Sequence, residues 1–242
     1  LRVWDVPAGY LNRESLLGEH RELHGLYNIV TEGKDGYSRH PETIRWAGCG
    51  QALSLRHALL VAEMRLRGYV DRTPLVVRRM DCRWPAVFVT EPAEQLALLE
   101  AKYVGKSEGR IPLPRGVHQL WAQHKYSVLA RDPETYRSIG RAVARLRRGA
   151  DMSDLTCDLV ALLRTPPPHG RLVNAVEHMW GYVREGADES TRANAARGPA
   201  QMLSATQALA CASAEPFLLA STALSELAVF AGRDRPAAAP RR

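Results

Sequence analysis

The chain has no uninterrupted apolar run near the ~20 residues that a membrane span requires. Its opening stretch, Leu1-Arg2-Val3-Trp4-Asp5-Val6-Pro7, also lacks the long apolar core of a secretory signal. Both absences point to a cytoplasmic protein with no membrane partner. Cysteine is scarce: Cys49, Cys82, Cys157 and Cys211 lie far apart with no Cys-x-x-Cys pair, which argues against a zinc ribbon and a disulfide framework. They read as reduced and mostly buried. There is no Walker loop, no Gly-x-Gly-x-x-Gly and no internal repeat, so the common nucleotide cradles and solenoid architectures drop out.

What remains is an ordinary globular composition. In 242 residues, 45% are hydrophobic and 24% charged, enough for one large packed domain or two small ones. The net charge of +7 favours a polyanionic partner, since neutralising phosphates releases condensed counterions. Arginine far outnumbers lysine. Bidentate phosphate recognition and a GC-rich genome both account for that excess.

Apolar residues at three- and four-residue steps (Leu16, Leu23, Leu26, Tyr27, Val30) predict an amphipathic helix over residues 15–30, followed by a loop that Gly33 and Gly36 keep from continuing the helix. A second helix is expected over 51–67, with Gly68 placed to cap it. Between 71 and 92 the character changes: Pro74, Pro85 and Pro92 flank short β-prone runs at 75–77 and 86–89, and a domain boundary is expected near residue 80. Beyond it, helices are expected at 93–104, 117–130, 133–147, 153–163, 172–183 and 199–227. The fold class is therefore mainly α: a small helical domain over 1–80, a second helical domain over 81–232, and an aperiodic Pro/Ala/Arg tail over 233–242 that reads as disordered.

Chemistry concentrates in the first 45 residues. Leu1-Arg2-Val3-Trp4 opens the chain, His20-Arg21-Glu22-Leu23-His24 lies on the first helix, and Gly36-Tyr37-Ser38-Arg39-His40-Pro41-Glu42 follows it. With Leu60-Val61-Ala62-Glu63-Met64-Arg65-Leu66-Arg67-Gly68-Tyr69, these blocks resemble, in order and spacing, the pyrimidine-dimer DNA glycosylases of the phage endonuclease V type, small helical enzymes that excise ultraviolet photoproducts. The resemblance covers about the first 75 residues. It implies a glycosylase with lyase activity on lesion-containing double-stranded DNA, working without metal or organic cofactor and, on this reading, as a monomer.

The resemblance assigns the nucleophile to the α-amine of residue 1, which attacks the anomeric sugar carbon, expels the base and leaves a protein–DNA imine. α-Amines suit this: at an ordinary pKa of about 7.7–8.0 roughly a quarter are neutral at physiological pH, against about a thousandth for lysine. Glu22 matches the family's catalytic glutamate, the group that removes the neighbouring proton for β-elimination. From its residues alone, Glu22 reads instead as a solvated helical carboxylate paired with Arg21 or His24. Arg2 and Arg21 match arginines that hold the phosphates beside the lesion. The family's next arginine is replaced here by His24-Gly25, so Arg39, His40 and Arg45 are candidates for the missing contacts, with a structural bond across the turn at Pro41 as the other role for His40. Trp4, Tyr37 and Trp46 are available for stacking in an opened duplex, although core packing is expected to claim at least one.

Leu1 stands where bacterial relatives of the family have their initiating methionine. The expectation is a leucine start codon translated literally or a lost methionine, with the amine of the true first residue acting in either case. In the second half, Leu120-Trp121-Ala122-Gln123-His124-Lys125-Tyr126 and Val173-Asn174-Ala175-Val176-Glu177-His178 resemble an uncharacterised helical bacterial domain over about 115–185. His124, Lys125, Asn174 and His178 are expected to converge as a buried polar network rather than a metal site. Arg141, Arg145 and Arg148 form either a solvated face or a second contact to DNA. Two alternatives stay open for the whole protein: the same imine chemistry on alkylated or bulky lesions, or a non-catalytic DNA-binding module.

Overall fold

A computed structural model describes residues 1–34 and 36–232. The tail expected to be disordered, 233–242, lies outside them. Among the described residues the chain is helical and has no strand. After an extended N-terminal segment and a 3-10 turn, Ala8–Tyr10, come α1 (Arg13–Glu32), α2 (Pro41–Arg45), α3 (Gly50–Leu66), α4 (Pro92–Lys102), α5 (Val117–Leu129), α6 (Pro133–Ala144) and α7 (Ser153–Leu163). They are followed by α8 (His169–Trp180), α9 (Glu189–Ala195), α10 (Pro199–Ala212), α11 (Pro216–Leu219), α12 (Ala223–Glu226) and α13 (Ala228–Ala231). No helix among the described residues is long and apolar enough to cross a membrane.

The helix ends follow local chemistry. Asn12 caps α1 by accepting the Ser15 N–H at 2.9 Å, and Gly33, at φ 66°, ends it in the left-handed conformation that glycine adopts without penalty. Gly68, at φ 80°, ends α3 as expected, with the Tyr69 N–H returning to the Met64 carbonyl at 2.8 Å. The β-prone runs form no sheet. Val76, Val87 and Val89 face solvent, and the flanking prolines remove donors a ladder would need. The helix expected over 199–227 is broken. Pro216 cannot continue α10, Ala214 turns the chain at φ 53°, and the Glu215 side chain caps the restart at the Phe217 N–H.

Two hydrophobic clusters organise the packing. The first joins Val3, Trp4, Tyr10, Leu16, Leu23, Leu53 and Leu60 with Leu96, Leu99, Tyr103 and Ile111, so it runs past residue 80 and takes in α4. The second gathers Tyr126, Leu129, Leu172, Val176, Met179, Leu203 and Leu224. Polar bonds tie the two together. Tyr10 Oη donates to Gln123 Oε1 at 2.7 Å, and Arg110 bridges Glu63 on α3 to the carbonyls of Leu219 and Ser221. The loop before Ile111 lies directly on the 3-10 turn: a Cβ added at Gly109 would sit 2.5 Å from the Gly9 and Tyr10 carbonyl oxygens. Backbone cannot yield as a side chain can. Gly109→Ala is therefore expected to cost about 1–3 kcal/mol, the range for overpacking, read by denaturant unfolding.

Candidate active site at the N-terminus

An extended segment outside any sheet must find side-chain partners for its backbone once it is buried. Residues 2–5 do so in succession. The Arg2 N–H donates to Glu22 Oε2 at 2.7 Å, the Val3 N–H to Glu42 Oε1 at 2.9 Å, the Trp4 N–H to Glu19, and the Asp5 N–H to Gln95 Oε1 at 2.8 Å. The carbonyls of Val3 and Val6 accept from Arg45 and Arg56 at 3.0 and 3.1 Å. Four side chains from α1, α2 and α4 thus set where the first residue lies.

The nitrogen of residue 1 is 3.7 Å from Glu22 Oε2, and the Glu22 side chain is 46% exposed. A single carboxylate therefore meets both the first nitrogen and the second while staying open to solvent. One helical step back, Glu19 is fully buried against Arg56 at 2.7 and 2.9 Å. Burial pushes the Glu19 carboxyl up, partly opposed by the Arg56 charge. The two glutamates share one face of α1 but have opposite solvent access, which separates a structural carboxylate from an accessible one.

Arg45, expected at the DNA backbone, is inside the protein. Its Nε donates to Glu42 at 2.9 Å, Nη1 to Asp5 and the Val87 carbonyl at 3.1 and 3.3 Å, and Nη2 to Val3 and Glu42 at 3.0 and 2.9 Å. All five guanidinium donors are engaged. Arg45 thus positions the terminal segment and has no donor left for a phosphate. Asp5 also takes Arg164 at 2.7 Å and Gln95 at 2.8 Å, so a residue following α7 reaches the N-terminal region.

The other expected contacts lie around the terminus. The Arg2 guanidinium stacks 4.9 Å over the Trp4 ring, and Arg21 and Arg39 are exposed. His40 caps α2, its Nδ1 accepting the Glu42 N–H at 3.1 Å, and it also lines a cavity of about 150 Å³ with Leu1, Arg2 and Gln95. Its structural bond and its place beside residue 1 therefore coexist. A larger groove of about 370 Å³, walled by Arg2, Glu22, Gly18 and Lys102, flanks the segment on another side. Trp4 and Trp46 are core residues, which leaves Tyr37, 69% exposed, as the aromatic available for stacking.

The residues that anchor the terminus, Glu19, Glu42, Gln95, Arg56 and Arg164, carried no role in the sequence reading. Only the i, i+3 spacing of Glu42 and Arg45 behind Pro41 hinted at a paired turn of helix.

Elsewhere, the expected convergence of His124, Lys125, Asn174 and His178 is not what forms. His124 is buried, its Nδ1 donating to the Leu120 carbonyl at 2.8 Å and burial pushing it down to about 4, whereas His178 is exposed on α8. The buried polar network of this half is Ser127, Thr222, Glu226 and Arg131 instead. Arg141, Arg145 and Arg148 are exposed. All four cysteines are free, and only Cys49 is buried, so burial is less general among them than expected.

Two family models match the chain: pyrimidine dimer DNA glycosylase over residues 1–76, and a protein family of unknown function, DUF1722, over residues 125–198. No curated protein and no solved structure matches it.

Proposed function

We propose, from an N-terminal region that matches the pyrimidine dimer DNA glycosylases, that this protein is a DNA-repair glycosylase and lyase whose nucleophile is the free α-amine of residue 1. The observation that carries the reading is Glu22, solvent-accessible and 3.7 Å from that nitrogen. A gap of that length closes by one water or a small rotation as substrate enters, which suits a proton relay.

In this reading the amine forms a bond to the anomeric sugar carbon as the glycosidic bond breaks, and the base leaves with the bonding pair and gains a proton. Ring opening gives the imine. Glu22 then takes a proton from the adjacent carbon, and the electron pair expels the 3′ phosphate. Arg2, Arg21 and Arg39 hold the backbone around the opening, His40 lines it, and Tyr37 stacks on unpaired bases. Arg45 and Glu42 act at one remove, holding the first residues in register.

Borohydride reduction of a mixture with dimer-containing duplex is expected to trap a covalent adduct; intact DNA binding without an adduct would instead indicate a non-catalytic binding module. Glu22→Gln keeps an acceptor for the Arg2 N–H but loses the base. Strand cleavage is expected to fall by about 10²–10⁴-fold, with duplex affinity within about 1 kcal/mol of the parent. Parallel loss of binding and cleavage would reassign Glu22 to a structural role. Substituting duplexes with alkylated or bulky lesions in the same trapping assay identifies the preferred lesion.

A further inference from the structure

On the side of α1 turned away from Glu22 lies a cluster that the imine chemistry does not use. His20 and His24 are one helical turn apart, and Glu22, two residues from each, is about 200° around the helix. α3 packs against α1 and brings His57 between them. The ring centroids are 5.0 Å apart for His20 and His24 and 4.8 Å for each with His57. One ring nitrogen from each residue falls within 4.8 Å of the others, the one such group among the described residues.

Three further features fit a ligand. His57 is 2% exposed and its Nε2 has no hydrogen-bond partner, an arrangement that costs about 1–3 kcal/mol unless something fills it. The two outer rings are oriented from behind: His20 Nε2 donates to Asp71 at 3.2 Å, leaving the lone pair on Nδ1, and His24 Nε2 meets Thr73 Oγ1 at 3.0 Å. Asp71 is fixed in turn by the Thr73 N–H at 2.9 Å. A carboxylate behind a histidine is the usual support of a metal-bound imidazole. The cluster borders a cavity of about 740 Å³, whose wall includes His57 and Asp71.

We propose that His20, His24 and His57 bind one divalent transition-metal ion of the zinc class, with Asp71 and Thr73 as supporting partners and a water in the remaining position. Imidazole donors without thiolate or a fourth protein ligand suit zinc, nickel or copper rather than magnesium or calcium, and three ligands leave the coordination open. Tetrahedral zinc at about 2.0–2.1 Å from each nitrogen sets them roughly 3.3 Å apart, which the present span reaches by turning the half-buried His20 and His24 rings inward. The ion would brace α1 against α3 and the 71–73 turn. It shares no residue with the terminal site and stands or falls independently of the glycosylase reading.

The test uses untagged, chelator-stripped full-length protein, titrated with Zn²⁺ against a chromophoric chelator and with Co²⁺ by visible absorption. One Zn²⁺ per chain and the intense bands of four-coordinate Co²⁺ are expected. Asp71→Asn should weaken binding about 10–100-fold. His24→Ala should weaken it at least as much; with its ring half-buried, it is the variant to rely on if His57→Gln fails to fold, circular dichroism reporting the fold. Absence of Zn²⁺ binding at micromolar ion, a weak six-coordinate Co²⁺ spectrum, or parental affinity in folded His24→Ala would each overturn the proposal.

Discussion

One extra residue ahead of residue 1 is expected to reduce borohydride trapping below detection while leaving helicity and unfolding unchanged. Extension converts the amine to an amide, whose lone pair is delocalised into the carbonyl and no longer attacks carbon. The fold has little reason to respond. The bonds that seat the segment begin at the Arg2, Val3 and Asp5 N–H groups and end on Glu22, Glu42 and Gln95, and none needs a free amine. The comparison requires only native-terminus and glycine-extended protein on the same dimer-containing duplex. The extended chain still carries an α-amine, but one residue further out, so equal trapping by both would show that the reacting nitrogen is not the one Glu22 meets at 3.7 Å.

The largest effect on stability is expected at Glu63. It is fully buried on α3, where Arg67 reaches it at 2.6 Å and Arg110 at 2.9 and 2.7 Å. Arg67 continues to the Leu11 and Gly9 carbonyls, and Arg110 to those of Leu219 and Ser221, so one carboxylate anchors the 3-10 turn, α3 and the C-terminal helices together. Burial pushes the Glu63 carboxyl up, but the charge and hydrogen bonds of Arg110, with the charge of Arg67, outweigh it and hold it at about 2. Because the folded value lies below the unfolded one, the associated stability is fully present above about pH 4.5 and is lost as pH falls towards about 2. At 1.36 kcal/mol per pH unit this is worth roughly 3 kcal/mol.

Glu63→Gln leaves two largely buried guanidinium groups, 14% and 9% exposed, without their counter-charge and is expected to cost about 3–5 kcal/mol at neutral pH. It should also flatten the acid dependence between about pH 4.5 and 2. Denaturant titrations of both proteins across that range measure the two effects together. A variant within 1 kcal/mol of the parent would show that the arginines find other partners or hydration.

Much of the helical plan can be read locally, and its failures have local causes too. Leu16, Leu23 and Leu26 recur at the helical period and all three are buried. The long helix expected after Pro199 overlooked Pro216, whose missing N–H ends what the apolar pattern would have continued. The short α2 has no period to read in its five residues, although Pro41 at its first turn and His40 before it are capping signals.

For the terminal region, it is the resemblance to a glycosylase family, matched over residues 1–76, that points to residue 1, Arg2, Arg21 and Glu22. Which groups seat the terminus was decided only in three dimensions. Val3 meets a carboxylate 39 residues away and Asp5 an amide 90 residues away. Arg45, indistinguishable in sequence from a surface arginine, is drawn inside because Glu42 and Asp5 converge on it there. His57 likewise joins His20 and His24 only because α3 packs on α1. Periodicity and capping act over a few residues and are written in the chain. Pairing between buried charges depends on which surfaces exclude water together, and that is set only when the helices pack.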